Sequence, residues 1–382
     1  MKNLFSNRRR AGFTLVELMV GVTLTVVILS SVYVIYDKSL TAYRIESQVL
    51  DMQDRLRFGL EHLKRDLRRA GFLASPNTLV DPNVCPKPLY DLRAVTVYPN
   101  TGSVFEPYPG ANDNIEPSSL VLFGDFFSGQ VYKTAGVETN KVYLQYTPNF
   151  PTNQVEFDRI FNTNRYLRIV TSNQFELLLG IQEADWAERS VTFSQAIPRT
   201  GAGSLCGIAG FGEGLDANVA GFVRYRVATD TRPGAPTGKT DLVREELEID
   251  GQTVVAGTQL VIADYAVDLQ VYDFGFDTDA TGSNPSLVIY PLVTQVADAS
   301  GGGFLGTMAA ANPEDLRFLT VKLTVRSEDE DTDFSFVPRE DEFSPLMGYD
   351  VSDMAGAARC MTLASRVELT SLAVRNLKGG TP

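Results

Sequence analysis

Histidine is nearly missing from this chain: His62 is the only one in 382 residues. A histidine-based zinc hydrolase needs more than one such ligand, and a Ser-His-Asp arrangement needs support around its histidine. A lone histidine among charges on a helix face reads as a solvated polar residue. The phosphate-cradling pattern G-x-x-x-x-G-K-[ST] is also absent. Hydrolase and ATPase activities are therefore not expected, and no cofactor is implied. The three cysteines, Cys85, Cys206 and Cys360, stand too far apart for a C-x-x-C redox or zinc motif. Proline is missing from residues 13–75, and charge is missing from residues 13–36 except at Glu17.

That apolar run is what the chain has instead. A helix over it spans roughly 36 Å at about 1.5 Å per residue, enough to cross a bilayer with some tilt. A carboxylate costs about 2.5–3.5 kcal/mol at the centre of such a helix. Glu17 lies near the start, where the cost is smaller but still needs a reason. Lys2, Arg8, Arg9 and Arg10 precede the run without an acidic residue among them, which predicts a cytoplasmic N-terminus and export of the rest. An ordinary secretory signal is cut after its apolar core. Here the small pair Ala11-Gly12 lies before it. A cut after Gly12 would remove the basic leader, 1–12, and leave Phe13 as the new N-terminus, one helical turn from Glu17. In a staggered bundle that amine would meet a neighbour's Glu17, relieving the desolvation of both charges.

The run Gly12-Phe13-Thr14-Leu15-Val16-Glu17 resembles the prepilin signature of type IV pilins and type II secretion pseudopilins. The resemblance implies cleavage by a prepilin peptidase between Gly12 and Phe13, and methylation of the Phe13 amine. It implies that Glu17 guides filament assembly. It further implies a type IV pilin-like α+β fold, with a long N-terminal helix packed on a large antiparallel sheet domain.

Charge is unevenly placed. Of 34 Lys and Arg, 12 lie in residues 1–75 beside 7 of the 47 Asp and Glu; the remainder carries 22 basic against 40 acidic residues, a net of −18. Such a surface repels nucleic acid, so no nucleic-acid partner is expected. Within the expected helix, 13–75, residues 13–36 are the membrane or filament-core half and 37–75 are amphipathic. Ile45, Val49, Met52, Leu56, Leu60, Leu63 and Leu67 form one apolar stripe. Arg57, Glu61, Lys64 and Arg65 stand on the solvated side. Arg68 and Arg69 suit the negative end of the helix dipole, and Gly71 can cap it.

From residue 76 to 382 the pattern changes to short alternating segments broken by Gly, Pro, Asn and Asp. Strands are predicted over 120–127, 142–146, 166–171, 175–179, 191–193, 222–227, 242–249, 260–272, 316–325 and 367–374. Without helical periods between them they argue for antiparallel sheet in two packed layers. The Gly-rich stretch 196–220 could divide two subdomains. Long loops are expected over 273–315 and 328–357, where partner contacts would concentrate.

The helix end LKRDLRRAGF, then VRYRV, LVREELEI, LVIADYAVDLQVYDFGFD and the closing SRVELTSLAVRNLKG, come in an order that resembles the PilW group of minor pilins. The J-type pseudopilins of type II secretion are related. The resemblance implies a low-abundance subunit that primes a type IV pilus and sits at or near its tip. Its implied partners are the other minor pilins, the major pilin, a tip adhesin-type protein and the inner-membrane assembly platform. It implies residence in the inner membrane before display on the pilus. Alternatives are a J-type pseudopilin role, or a ligand-binding module carried on a filament.

On an exported domain disulfides persist. Cys85 in a Pro-rich loop and Cys206 in a Gly-rich one would gain from a staple, and this pairing is favoured. Cys360 reads as a small buried hydrophobe leading into a strand. Asp273, Asp277 and Asp279 with Gly282 partly follow a calcium-loop pattern, but Val288 stands where the bidentate glutamate belongs. The run from Glu328 to Asp333 reads as a solvated acidic loop. No metal site is expected from either.

Overall fold

The computed structural model describes residues 13–98, 112, 115, 117–201, 206–236, 238–277, 287–290, 313–337, 344–351 and 356–373. The chain divides into two compact units, residues 1–51 and 52–382. The long N-terminal helix and the antiparallel sheets agree with the α+β layout expected from sequence.

Helix α1, Leu15–Arg69, is long and apolar enough to cross a membrane. In the first unit it carries no buried side chain within the chain. Several of its hydroxyls there are answered by the helix itself: those of Thr23, Thr25, Ser30, Ser31 and Ser39 each donate to a carbonyl three or four residues earlier. Such back-bonding is the cheapest partner a hydroxyl finds in hydrocarbon.

In the second unit, α1 turns Met52, Leu56, Gly59, Leu60, Leu63, Asp66 and Leu67 inward. The predicted leucine stripe is the packed face. A Cβ at Gly59 would lie 2.9 Å from the Leu323 side chain and 3.1 Å from Ala263 Cβ, so this position lets strand and helix approach closely. Leu63 is fully buried while Glu61 is exposed and paired with Lys64 at 2.7 Å. Leu63→Ala is therefore expected to cost about 2–5 kcal/mol, and Glu61→Ala almost nothing, in urea unfolding followed by circular dichroism. Equal midpoints would show the inward face to be wrongly assigned.

Among the described residues, fifteen strands follow. In chain order they are β1 Val95–Tyr98, β2 Ser119–Gly124, β3 Tyr132–Val137, β4 Lys141–Leu144, β5 Tyr166–Val170, β6 Glu176–Asp185, β7 Ser190–Phe193 and β8 Asp216–Thr229. After these come β9 Thr240–Leu247, β10 Leu260–Ala263, β11 Ala266–Asp277, β12 Leu287–Tyr290, β13 Leu316–Asp331, β14 Gly348–Tyr349 and β15 Ala357–Glu368. A short helix α2, Gln154–Ile160, lies between β4 and β5, and a single turn α3, Thr370–Ala373, follows β15.

The first sheet does two things at once. The first half of β8 pairs with β3 on one side and β5 on the other, and β3-β4-β7-β6-β5 complete the ring. Ring closure removes free edges. Its interior is filled by Tyr132, Phe150, Phe157, Phe161, Leu167 and Phe193 among others, with α2 contributing Phe157 and Ile160. The second half of β8 leaves the ring and pairs with β2 and β9 in an open sheet. The change falls at Gly221, where a Cβ would meet the Phe127 ring at 2.8 Å and Arg165 at 3.2 Å. Residues 196–220 lead from β7 into this shared strand. The second sheet has the order β12-β11-β13-β15-β14.

Several expected boundaries differ. The 260–272 segment is two strands, β10 and β11, parted at Tyr265, whose φ of 57° takes the chain through a turn. Of the expected 367–374 strand, 367 and 368 end β15 and 370–373 form α3, and Cys360 lies inside β15 rather than before it. The expected loop 328–357 contains the end of β13, all of β14 and the start of β15, and 273–315 contains the end of β11 and all of β12. The acidic run from Glu328 is thus largely strand: Asp331 pairs with Arg359 at 2.5 Å and Glu330 accepts the Val351 N–H at 2.9 Å.

Candidate functional site

Two places carry the candidate residues: the start of α1, and its seat on the sheets. At the start, the Thr14 N–H and the Thr14 hydroxyl both donate to Glu17 Oε2 at 2.9 Å, and the Glu17 N–H donates back to Thr14 Oγ1 at 3.2 Å. This is a reciprocal capping box, and it satisfies two donors that a helix start leaves open. Glu17 therefore has a partner inside its own chain. Its sequence signal, T-x-x-E, lies inside the motif, and this local pairing stands beside the expected pairing with a neighbouring subunit. Phe13 precedes the helix and is 85% exposed. Gly12 lies outside the described residues.

The lower half of α1 is seated by a polar cluster. Asp66, 3% exposed, accepts from the Tyr225 hydroxyl at 2.7 Å and from Arg244 Nε at 2.8 Å. His62 Nδ1 lies 2.8 Å from the same tyrosine oxygen, and Arg65 lies 2.8 Å from His62 Nε2. His62 is therefore not the solvated residue its charged neighbours suggested. It is half-buried, because Tyr225 of β8 reaches up to it. Burial lowers its pKa below the usual 6.5, against the pull of Asp66, and Arg65 and Arg244 push the same way as burial. The folded chain thus binds fewer protons than the unfolded chain just below pH 6.5, so stability falls as pH drops through that window. A urea midpoint that declines there in the wild type and flattens in His62→Gln would bear this out; identical slopes would count against it. Burial beside Asp66 pushes the Tyr225 hydroxyl well up.

Cys85 and Cys206 are joined in a disulfide with Cα atoms 5.6 Å apart, and Cys360 is free. Asp273 and Asp277 lie in β11, and Asp277 Oδ2 is 3.4 Å from Arg317. Asp279 is outside the described residues. Among the described residues no group of three His, Cys, Asp or Glu is placed to hold a metal ion.

Residues 7–33 match the prokaryotic N-terminal methylation motif. The chain carries a prepilin-type N-terminus. The matched span includes Gly12, Phe13, Thr14 and Glu17, and so covers the leader end, the cap and the first turns of α1. No curated protein and no solved structure matches the chain. A prepilin-type start joined to an apolar helix is consistent with a protein anchored in a membrane and then displayed on a filament.

Proposed function

We propose that this chain is a minor pilin that primes assembly of a type IV pilus and remains at or near its tip. The observation that carries the reading is the methylation motif over residues 7–33, set directly on a helix able to cross a membrane. The PilW-like order of segments in the exported part supports the minor rather than the major role. On this reading the domain works by protein contact and not by catalysis. Its partners are other minor pilins, the major pilin, a tip adhesin-type protein, the prepilin peptidase and the inner-membrane assembly platform.

Processing is the first test. The mature protein is expected to begin at methylated Phe13, read by N-terminal sequencing and intact mass, and Gly12→Val should block the cut. Met1 at the N-terminus, or a cut beyond Tyr36, would overturn the assignment. The motif is shared with pseudopilins, so the second test is deletion of the gene. Loss of surface pili, with tagged chain found at pilus ends, is the expected result. Intact pili with loss of protein secretion would place the chain in a secretion system instead.

A further inference from the structure

The open half of the first sheet has two faces. Tyr225 points to α1, so Phe222 and Arg224 point away from it. The register places Val121 opposite Arg224 and Thr96 opposite Val121, so these residues share the outer face with Tyr98. A cleft of about 270 Å³ opens there, beside the turn that follows β9.

Val121 and Phe222 make its floor, both 4% exposed, and Tyr90 and Tyr98 stand at its sides. The turn over the floor is fixed in advance. Asp250 Oδ1 accepts the N–H groups of Gln252 and Thr253 at 2.8 and 2.9 Å, and Thr253 Oγ1 donates to Asp250 Oδ2 at 2.6 Å. Gly251, at φ 68°, lies against the Phe222 ring, where a Cβ would come within 3.1 Å. The side-chain amide of Gln252 and the hydroxyl of Tyr98 make no hydrogen bond among the described residues. A rigid apolar floor with a few polar groups left unspent has the general form of a small-molecule site.

The lining selects the chemistry. Arg93 already gives Nε and Nη2 to Asp91 Oδ2 at 3.0 and 2.6 Å, and Asp250 adds a second negative charge. Among the described lining residues an anion would meet no free cation, and a like charge costs affinity. Both Asp250 oxygens are engaged, which disfavours a metal ion. A wholly apolar guest would strip water from Asp91, Arg93 and Gln252 without replacing it. What remains is a neutral ring with an apolar face and hydroxyl edges. Tyrosine rings offer an apolar body with a polar tip to such a molecule. The volume is below the ~300–1,000 Å³ of drug-sized sites, so one ring fits and a chain of them does not.

We infer that this cleft binds a single neutral pyranose unit, either free or at the end of a surface glycan. Filament assembly plays no part in the inference. It is tested by saturation-transfer NMR on the full chain, held in a detergent without a sugar headgroup. The probes are the methyl glycosides of galactose, glucose, mannose and N-acetylglucosamine, with methyl sialoside as the anionic control. Transfer to at least one neutral glycoside and none to the sialoside is expected. Gln252→Ala and Tyr98→Ala should each weaken binding tenfold or more, and Tyr98→Phe, which keeps the ring, should weaken it less. Gln252 is exposed, so its truncation reports on the cleft even where Tyr98→Ala lowers stability. The same sugars carried on polymer beads distinguish the sources: capture that free methyl glycoside competes away identifies a terminal unit as the whole ligand. No transfer from any neutral glycoside at millimolar concentration, a signal that survives both alanine substitutions, preference for the sialoside, or capture by beads alone would each overturn the inference.

Discussion

A chain carrying Glu17→Ala is expected to insert, fold and be processed, yet to be depleted from filaments roughly tenfold, the factor that about 1.4 kcal/mol of lost pairing corresponds to. Glu17→Gln separates the two jobs this side chain can have. A glutamine at the third helical position still completes a capping box with Thr14, as glutamate does. It carries no charge and cannot answer the ammonium of a neighbouring Phe13. If charge pairing between subunits is what recruits the chain, Gln and Ala should be lost from filaments alike. If the cap is what matters, Gln should behave as wild type and Ala should lose the roughly 0.5–2 kcal/mol that a cap supplies. Quantitative blotting of sheared filaments against the membrane fraction reads the difference. Normal incorporation of Glu17→Ala would remove both explanations.

Asp66→Ala should be the most damaging single change in the seat of α1. The carboxylate is nearly fully buried and serves both Tyr225 and Arg244. Removing it leaves the Arg244 charge without that partner in a half-dry setting, a class of change that costs about 3–5 kcal/mol. Asp66→Asn keeps an oxygen acceptor and should cost less. Urea unfolding at neutral pH with Glu61→Ala as the control measures this. Asp66→Ala that unfolds at the wild-type midpoint would mean that the cluster is ornamental to stability.

These two residues mark the boundary between what the sequence made legible and what it hid. Glu17 is conspicuous because its background is apolar: a single charge in residues 13–36 needs no partner to be noticed. The leucines at 56, 60, 63 and 67 are legible for the same reason, since a helical period is a local property. Asp66 drew no reading of its own on a helix rich in charge. Position 66 lies beside Leu63 and Leu67 on the inward face, as the small Gly59 lies beside Leu56 and Leu60. Its partners are 159 and 178 residues away in sequence. His62 was misread on the same grounds.

The closed ring was hidden more deeply. Its strands alternate as those of an open sheet would, and what closes it is the choice of β8 to pair with β5 on one side and β3 on the other. No local pattern records that choice. Gly221 is the nearest thing to a signal, a glycine within a strand where two side chains crowd the backbone. The turn at Tyr265 was equally silent, because nothing in ADYA announces a positive φ the way glycine does.

The hydroxyls of α1 have a consequence for how such a subunit changes surroundings. Thr23, Thr25, Ser30, Ser31 and Ser39 are already answered by carbonyls of their own helix. Passage of this segment from lipid to a packing of protein helices therefore breaks none of these hydrogen bonds and strands none of these five donors. On the proposed role, a subunit built like this enters a filament from the bilayer without remaking those hydrogen bonds.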